Sequence, residues 1–152
     1  MLPTIPRKDI DALHAVMANL PQAPAMQTDH HFAGGMYCRR MEIPAGTVIV
    51  SKVHKTEHFF IGCSGELHVS GQGENYVIRS GDVVPSKIGT KRAVYAITDV
   101  VVMTVHKTDK TSIDGLEDEM VEVDETCLYD VNNCPKAGVT IAGDVGKLLE
   151  DN

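Results

Sequence analysis

The sequence lacks the features that mark exported, membrane-spanning and zinc-ribbon proteins. Crossing a bilayer takes an uninterrupted apolar run of about 18 residues, and the sequence has none. Its first residues, MLPTIPRKDID, lack the apolar core of a signal peptide. Its four cysteines include no C-x-x-C pair, which favours free thiols in a reducing compartment over a structural zinc site. We therefore expect a cytoplasmic protein without a membrane partner.

Charge is distributed unevenly along the chain. The net charge is −7, yet residues 1–113 carry 12 basic and 10 acidic side chains, whereas residues 114–152 carry 2 and 11. An acidic chain is poorly suited to a phosphate backbone, so we expect no nucleic-acid partner. The separation instead predicts that the acidic C-terminal part docks on the rest of the chain or on protein partners.

The apolar pattern predicts one mostly β domain. Ile10, Leu13 and Leu20 recur at helical spacing and predict a short N-terminal helix, whereas Pro21–Gly35 is typical of a connecting loop. From Met36 to His106, short β-branched runs alternate with glycine, proline and polar turns. The predicted strands are Tyr37–Ile43, Thr47–His54, His58–Cys63, Glu66–Ser70, Tyr76–Ile78, Asp82–Val84, Arg92–Ile97 and Val100–His106.

These strands are too closely spaced for the crossover helices of a parallel sheet, so the prediction is an all-β antiparallel sandwich or barrel. Beyond it, Leu116 and Met120 predict a brief helix, followed by a mostly irregular acidic tail with a last helical turn over Asp144–Leu149. We divide the chain into an N-terminal helix and loop at 1–35, a β-barrel at 36–110 and an acidic extension at 111–152.

Two glycine-anchored motifs lie within the predicted barrel. In the first, Gly46 opens a strand, His54 and His58 follow, and Gly65 comes seven residues after His58. In the second, Gly81-Asp82-Val83-Val84-Pro85 leads to Gly89-Thr90-Lys91-Arg92. Over about Met36–His106, this arrangement resembles the cupin superfamily, whose first motif has His-x-His, Glu and Gly and whose second runs from Gly-Asp to a final His. The resemblance implies a single jelly-roll barrel.

The chain departs from the family at most of the ligand positions. Counting from Gly65, Lys52 stands at the first histidine of the pair, His54 at the second and His58 at the glutamate. Arg92 stands at the final histidine of the second motif. Only one of the four positions, that of His54, keeps the residue that the family has there.

Period-2 alternation along the strands predicts which side chains share the barrel interior. Two imidazoles there, His54 and His58, would bind a divalent ion such as iron, manganese, zinc or nickel, with His106 as a third ligand. Positive charges nearby disfavour that metal. The residues predicted to face inward are Val48, Val50, Lys52, His54, His58 and Phe60.

The same interior suits two other interpretations. Lys52 and Arg92 supply donors to a carboxylate or phosphate and a neutral histidine adds another, so Lys52, His54, His58 and Arg92 would bind a small anion. Alternatively, the four residues form a structural polar cluster without a ligand.

Alternation also predicts an apolar outer face. If His58 points inward, then Phe59, Ile61 and Cys63 point outward, and Ile49 and Val53 join them from the preceding strand. On a monomer this face would be exposed. We expect either the N-terminal helix or, more readily, a second copy in a homo-oligomer to cover it.

The motifs also resemble small cupin-like proteins of tailed bacteriophages, which would place the protein in the host cytoplasm or in a virion. From the residues and the resemblance together we expect one of two functions. The protein is either a non-catalytic module that binds a small anionic ligand or an oligomeric structural component. The alternative is a metal-dependent cupin enzyme of isomerase or dioxygenase type that uses His54 and His58. That reading lacks the family's carboxylate in the interior.

Overall fold

The computed structural model describes residues 5–71 and 73–142. Within this part the chain forms two short helices and nine strands. Neither helix is long and apolar enough to cross a bilayer. The elements are α1 Arg7–Met17, β1 Thr28–Ala33, β2 Met36–Ile43, β3 Val48–Val50, β4 His58–Ser64, β5 Leu67–Gly71, β6 Glu74–Ile78, β7 Val83–Ser86, β8 Ala93–Ala96, β9 Val100–Lys107 and α2 Leu116–Met120.

The strands pair antiparallel in two sheets. One sheet has the order β1-β2-β9-β4-β7 and the other β3-β8-β5-β6. A single core cluster joins them, because inward side chains such as Phe60 and Val102 from the first sheet pack with Leu67 and Val94 from the second. The all-β antiparallel barrel predicted from the sequence is thereby confirmed.

The interpretation of Pro21–Gly35 as a loop is wrong for β1. Thr28–Ala33 pairs with Met36–Ile43 along its whole length, and only Gly34 and Gly35 form the turn. Their φ values of 55° and 80° suit a two-residue hairpin, which glycine reaches without strain. The sequence gives no strand signal here, because the segment has one large apolar residue, Phe32, and two histidines and so shows no apolar alternation.

The strand predicted over Thr47–His54 ends at Val50. Ile49 lies opposite Val94 and packs against the core, so alternation places Val48 and Val50 on the other face of β3. Val48 and Val50 thus do not pack in the core as Ile49 does, although they line the same cavity as His54. His54 still reaches the interior because the chain leaves the strand and pairs with the Thr90 loop, its backbone N–H donating to the Thr90 carbonyl at 2.9 Å.

The acidic extension lies against the barrel. Leu116 and Met120 of α2 are buried in a cluster with Tyr37. Beyond the helix, the Glu122 N–H donates to the Val53 carbonyl at 2.8 Å. The tail thus docks on its own chain in the described part. The helical turn predicted over Asp144–Leu149 lies outside the described residues.

Helix α1 does not cover the outer face of β4. It contacts β3, and its Asp11 carboxylate accepts a hydrogen bond from Lys91 at 2.6 Å. Ile49 does not extend the outer face either, because it packs against the core from β3 of the other sheet. Val53 lies beyond β3, where its carbonyl accepts the Glu122 N–H. Phe59 remains 49% exposed.

Candidate ligand-binding site

A cavity of about 700 Å³ is lined by residues of both sheets, of α1 and of the C-terminal extension. Its volume falls in the range of about 300–1,000 Å³ that is usual for small-molecule sites. Much of the wall is apolar, and the basic and imidazole groups that line it are Arg39, Lys52, His54, Arg92, His106 and His14. Four of these, Lys52, His54, Arg92 and His106, were predicted as site residues.

Cross-strand register builds a row of polar side chains across the inner face of the first sheet. His58 of β4 lies opposite Ser86 of β7 on one side and His106 of β9 on the other, and His106 lies opposite Tyr37 of β2. His54 joins from the loop after β3. The ring centroids are 4.4 Å apart for His54 and His58, 4.6 Å for His58 and His106, and 6.4 Å for His54 and His106.

All three imidazoles are neutral near pH 7. Burial lowers the pKa of His54 and of His106 to about 3, reinforced by the neighbouring His58. Burial likewise lowers the pKa of His58 to about 4, although its hydrogen bond to the Thr56 carbonyl works in the opposite direction. A cluster of imidazoles beside cationic groups disfavours further positive charge.

Backbone carbonyls fix the tautomers of two of the rings. The Nδ1–H of His54 donates to the Thr90 carbonyl at 3.1 Å, and the Nδ1–H of His58 donates to the Thr56 carbonyl at 3.1 Å. In a neutral ring the Nε2 atom is then left as an acceptor. The Nδ1 atom of His106 is buried without a hydrogen-bond partner in the described part of the chain.

Arg92, only 5% exposed, has neutral partners. Its Nη2 donates to His58 Nε2 at 3.2 Å and also to the Ser86 hydroxyl. Its guanidinium carbon lies 4.6 Å from the centroid of the Phe60 ring, and it shares a side-chain hydrogen bond with Tyr76. Burial lowers the pKa of Arg92. Among the described residues no carboxylate lies within ion-pair distance of this guanidinium.

Lys52 differs from Arg92 because it has a counter-ion. Its Nζ lies 3.2 Å from Oε1 of Glu117, with the two side chains 20% and 36% exposed. Helix α2 thus brings a carboxylate to the edge of the cavity from outside the barrel strands. Sequence reasoning did not single out Glu117, and the only signal for it was the acidity of the extension.

The structure brings the predicted residues together, with one difference in their roles. Lys52, His54, Arg92 and His106 line the cavity, whereas His58 is not part of its wall. His58 lies behind the wall, where it contacts Arg92 and stacks with His106. Through these contacts it holds the lining groups in position.

Arg39 is a cavity residue that sequence reasoning missed. It points inward from β2, lines the cavity and donates from Nη2 to the Val131 carbonyl at 3.1 Å. Its Nε is buried without a hydrogen-bond partner in the described part. The alternation of Tyr37, Arg39, Met41 and Ile43 was the available signal, because an arginine in register with three inward apolar residues must itself face inward.

The predicted divalent metal does not fit this arrangement. The Nε2 atom of His58, the one free to ligate, already accepts a hydrogen bond from the Arg92 guanidinium. A cation there would lie beside a fixed positive charge, which is unfavourable in a site of low dielectric. No group of three or more histidine, cysteine, aspartate or glutamate side chains in the described residues has the arrangement of a metal site.

No protein-family profile and no curated protein matches the sequence. Solved structures do match the fold. KdgF from Halomonas sp. has a TM-score of 0.51 at 15% identity, with 60% of this chain and 87% of that chain covered. The plu4264 protein of Photorhabdus luminescens has a TM-score of 0.50 at 12% identity, covering 62% and 84%.

A cupin-2 domain protein of Shewanella frigidimarina is also similar, with a TM-score of 0.45 at 12% identity over 62% of this chain and 91% of that chain. At such identities the likeness concerns the fold alone. The barrel has the cupin-like architecture that the motif spacing implied.

Proposed function

We propose that the protein is a non-catalytic, cupin-like binding module that holds a small anionic ligand in its cavity. The observation that carries this proposal is Arg92, a buried guanidinium whose partners in the described part of the chain are all neutral. A buried charge without a counter-ion is costly. An anion in the cavity would supply the missing charge and accept hydrogen bonds from Arg92, with Lys52 and His54 in the same wall.

The histidines of the cavity wall can hydrogen-bond an anion without adding positive charge. His54 and His106 stay neutral at pH 7 because burial lowers their pKa to about 3, so they add donors or acceptors without adding charge. Lys52 is already paired with Glu117. The attraction for a charged ligand therefore comes mainly from arginine, which binds carboxylates and phosphates through paired N–H donors.

The test is anion binding measured by calorimetry and by thermal shift with phosphate, sulfate, acetate and citrate. The test variant is Arg92→Met and its control is Arg79→Met. Arg79 is an exposed arginine that pairs with Glu66 on the surface. We expect Arg92→Met to weaken binding at least about tenfold and Arg79→Met to leave it unchanged. Where Arg92→Met fails to fold, Lys52→Met takes its place, with a smaller loss.

Two results would contradict the proposal. One is that none of these anions binds. The other is stoichiometric iron, manganese, zinc or nickel in the purified protein that is lost in both His54→Ala and His58→Ala, which would support the metal-dependent enzyme instead. Metal analysis of the three proteins decides this point.

We also propose that the protein is a homo-oligomer that pairs through the outer face of the first sheet. Phe59 and Val83 are 49% and 54% exposed there, and the register places Phe59 beside Val105 and Ile61 beside Met103. Closed symmetric pairing is the commonest way to bury such a face. The structural and virion roles depend on this assembly and, like the phage resemblance, stay predictions.

Light scattering after gel filtration tests the assembly. Phe59→Glu should convert the oligomer to monomer, whereas Val123→Glu, at a residue 74% exposed on the extension, should not. A wild-type protein that is monomeric at micromolar concentration would refute the pairing.

A further inference from the structure

Arg39 presents a second, half-buried positive charge to the cavity, separate from Arg92. It lies on β2 opposite Thr104, one inward position from the pair formed by Tyr37 and His106. Burial lowers the pKa of Arg39. Its one hydrogen bond in the described part is the bond from Nη2 to the Val131 carbonyl, and its Nε has no partner.

The acidic side chains that line the cavity are Glu117, Asp124 and Asp130. Glu117 and Asp130 act on Arg39 from a distance, since both oppose the lowering of its pKa. Glu117 pairs with Lys52 at 3.2 Å. The Oδ1 atom of Asp130 accepts the backbone N–H groups of Asn132 and Cys134 at 2.9 and 3.0 Å. No described carboxylate is within 4.0 Å of the Arg39 guanidinium. Arg39 therefore lines the cavity with a positive charge that no carboxylate contacts directly in the described part of the chain.

A second unpaired nitrogen lies close by. The Nδ1 atom of His106 is buried without a partner in the described residues, and Arg39 is near enough to influence His106 and His54 electrostatically. Arg39 and His106 occupy diagonal positions on adjacent strands, a spacing that long side chains bridge. Arg39 and His106 therefore lie side by side in one part of the cavity wall.

The rest of the cavity requires a different chemistry. Met41 and Ile43 continue the Arg39 side of β2, and Met26, Val94, Val102 and Leu128 extend the apolar wall. A small inorganic anion would occupy the polar end and leave this apolar volume filled only by water. A ligand with an apolar body would displace that water and gain the burial of its own surface.

We propose that the cavity binds an amphiphilic monocarboxylate, with its carboxylate on the Arg39 guanidinium and its apolar chain along Met41 and Ile43. This inference rests on the proposed anion-binding function and names its ligand class. A carboxylate suits this end better than a phosphate ester because acidic side chains of the cavity wall already offset part of the positive charge there, so a single negative charge is the better match. Arg92 lies in the same wall and adds its positive charge to the attraction.

The experiment is calorimetry on the full chain with butanoate, octanoate and dodecanoate, with 1-octanol as an uncharged probe and phosphate as a short anion. We expect binding to tighten by about fourfold for each added methylene until the chain fills the cavity. Arg39→Met should weaken octanoate binding at least about tenfold and leave 1-octanol binding unchanged. Arg40→Met is the matched control, because Arg40 is the next residue of the same strand and pairs with Asp29 and Glu42 outside the barrel.

A second variant keeps the test decisive if Arg39→Met does not fold. Met41→Phe should shorten the longest carboxylate that binds, while butanoate binding is retained. One outcome is that phosphate binds through Arg92 while the affinity for the carboxylates depends neither on chain length nor on Arg39. In that case the inference falls and the anion-binding function stands. If no anion binds at all, both fall. If 1-octanol binds as tightly as octanoate, Arg39 is not the carboxylate partner and the inference is overturned.

Discussion

Lowering the pH from 7.5 to 5.5 should destabilise the protein markedly, and the histidine cluster is the reason. In an unfolded chain a histidine has a pKa of about 6.5. In the folded chain the pKa of His54 and His106 is lowered to about 3 and that of His58 to about 4. Because the folded values lie below the unfolded one, the stabilisation is fully present above pH 6.5 and is lost as the pH falls towards the folded values.

The magnitude follows from proton linkage. At pH 5.5 about nine-tenths of each histidine is protonated in the unfolded chain and almost none in the folded one, so each of the three lowers the free energy of unfolding by about 1 kcal/mol. The cluster as a whole should cost about 3 to 4 kcal/mol over this interval. His14, whose pKa burial also lowers, adds a smaller amount in the same direction.

Urea unfolding followed by circular dichroism at pH 7.5, 6.5 and 5.5 measures this loss. His54→Gln should remove about 1 kcal/mol of the pH dependence, because it removes one of the three imidazoles. His31→Gln, at an exposed histidine of β1, should keep the full dependence. A wild-type loss below about 1 kcal/mol, or equal slopes for wild type and His54→Gln, would refute the reasoning.

Three further outcomes are expected from thermal and urea unfolding. Leu67→Ala, at a residue with 0% exposure, should cost about 2–5 kcal/mol, whereas Val123→Ala should change stability by less than about 0.5 kcal/mol; similar values for both would contradict the assigned core. Gly62→Ala would place a Cβ 2.1 Å from the Arg79 carbonyl oxygen and should cost about 3 kcal/mol or more, with Gly71→Ala, whose nearest contact is 3.1 Å, costing less. A double-mutant cycle with Lys52→Met and Glu117→Gln should give a coupling below about 1 kcal/mol, because both side chains are partly exposed; a larger value would mean that the pair is shielded from water.

The barrel could be predicted because its signals are local. β-branched runs bounded by glycine predict strands wherever one face is apolar, as in Val100–Lys107, where Val100 and Val102 are buried. β1 offered no such signal, since its pairing depends on β2 and on the turn at Gly34 and Gly35. For β3 the predicted strand is too long. Its residues favour a strand up to His54, but the chain turns towards the Thr90 loop after Val50, and the alternation ends there.

The site was predictable where glycines fix the loop lengths and not elsewhere. The spacing from Gly65 and Gly89 located His54 and Arg92, which the structure places in the cavity wall. Arg39 required the inward parity of β2, which could be counted only once Tyr37 and Ile43 were known to face the core. Glu117 could not be located by spacing, because α2 reaches Lys52 across 65 positions of sequence.

The departures from the cupin ligand pattern form one consistent change in chemistry. A metal site needs deprotonated acceptors that converge on a cation, whereas Arg92 at the final-histidine position brings donors and a fixed positive charge. Once that charge is buried, a carboxylate at position 58 would neutralise it internally; the neutral His58 accepts its hydrogen bond instead and leaves the charge uncompensated. On β2, Arg39 likewise has a carbonyl partner and, among the described residues, no carboxylate at ion-pair distance. Under the proposed function, these two arginines supply the positive charge that attracts an anion into the cavity.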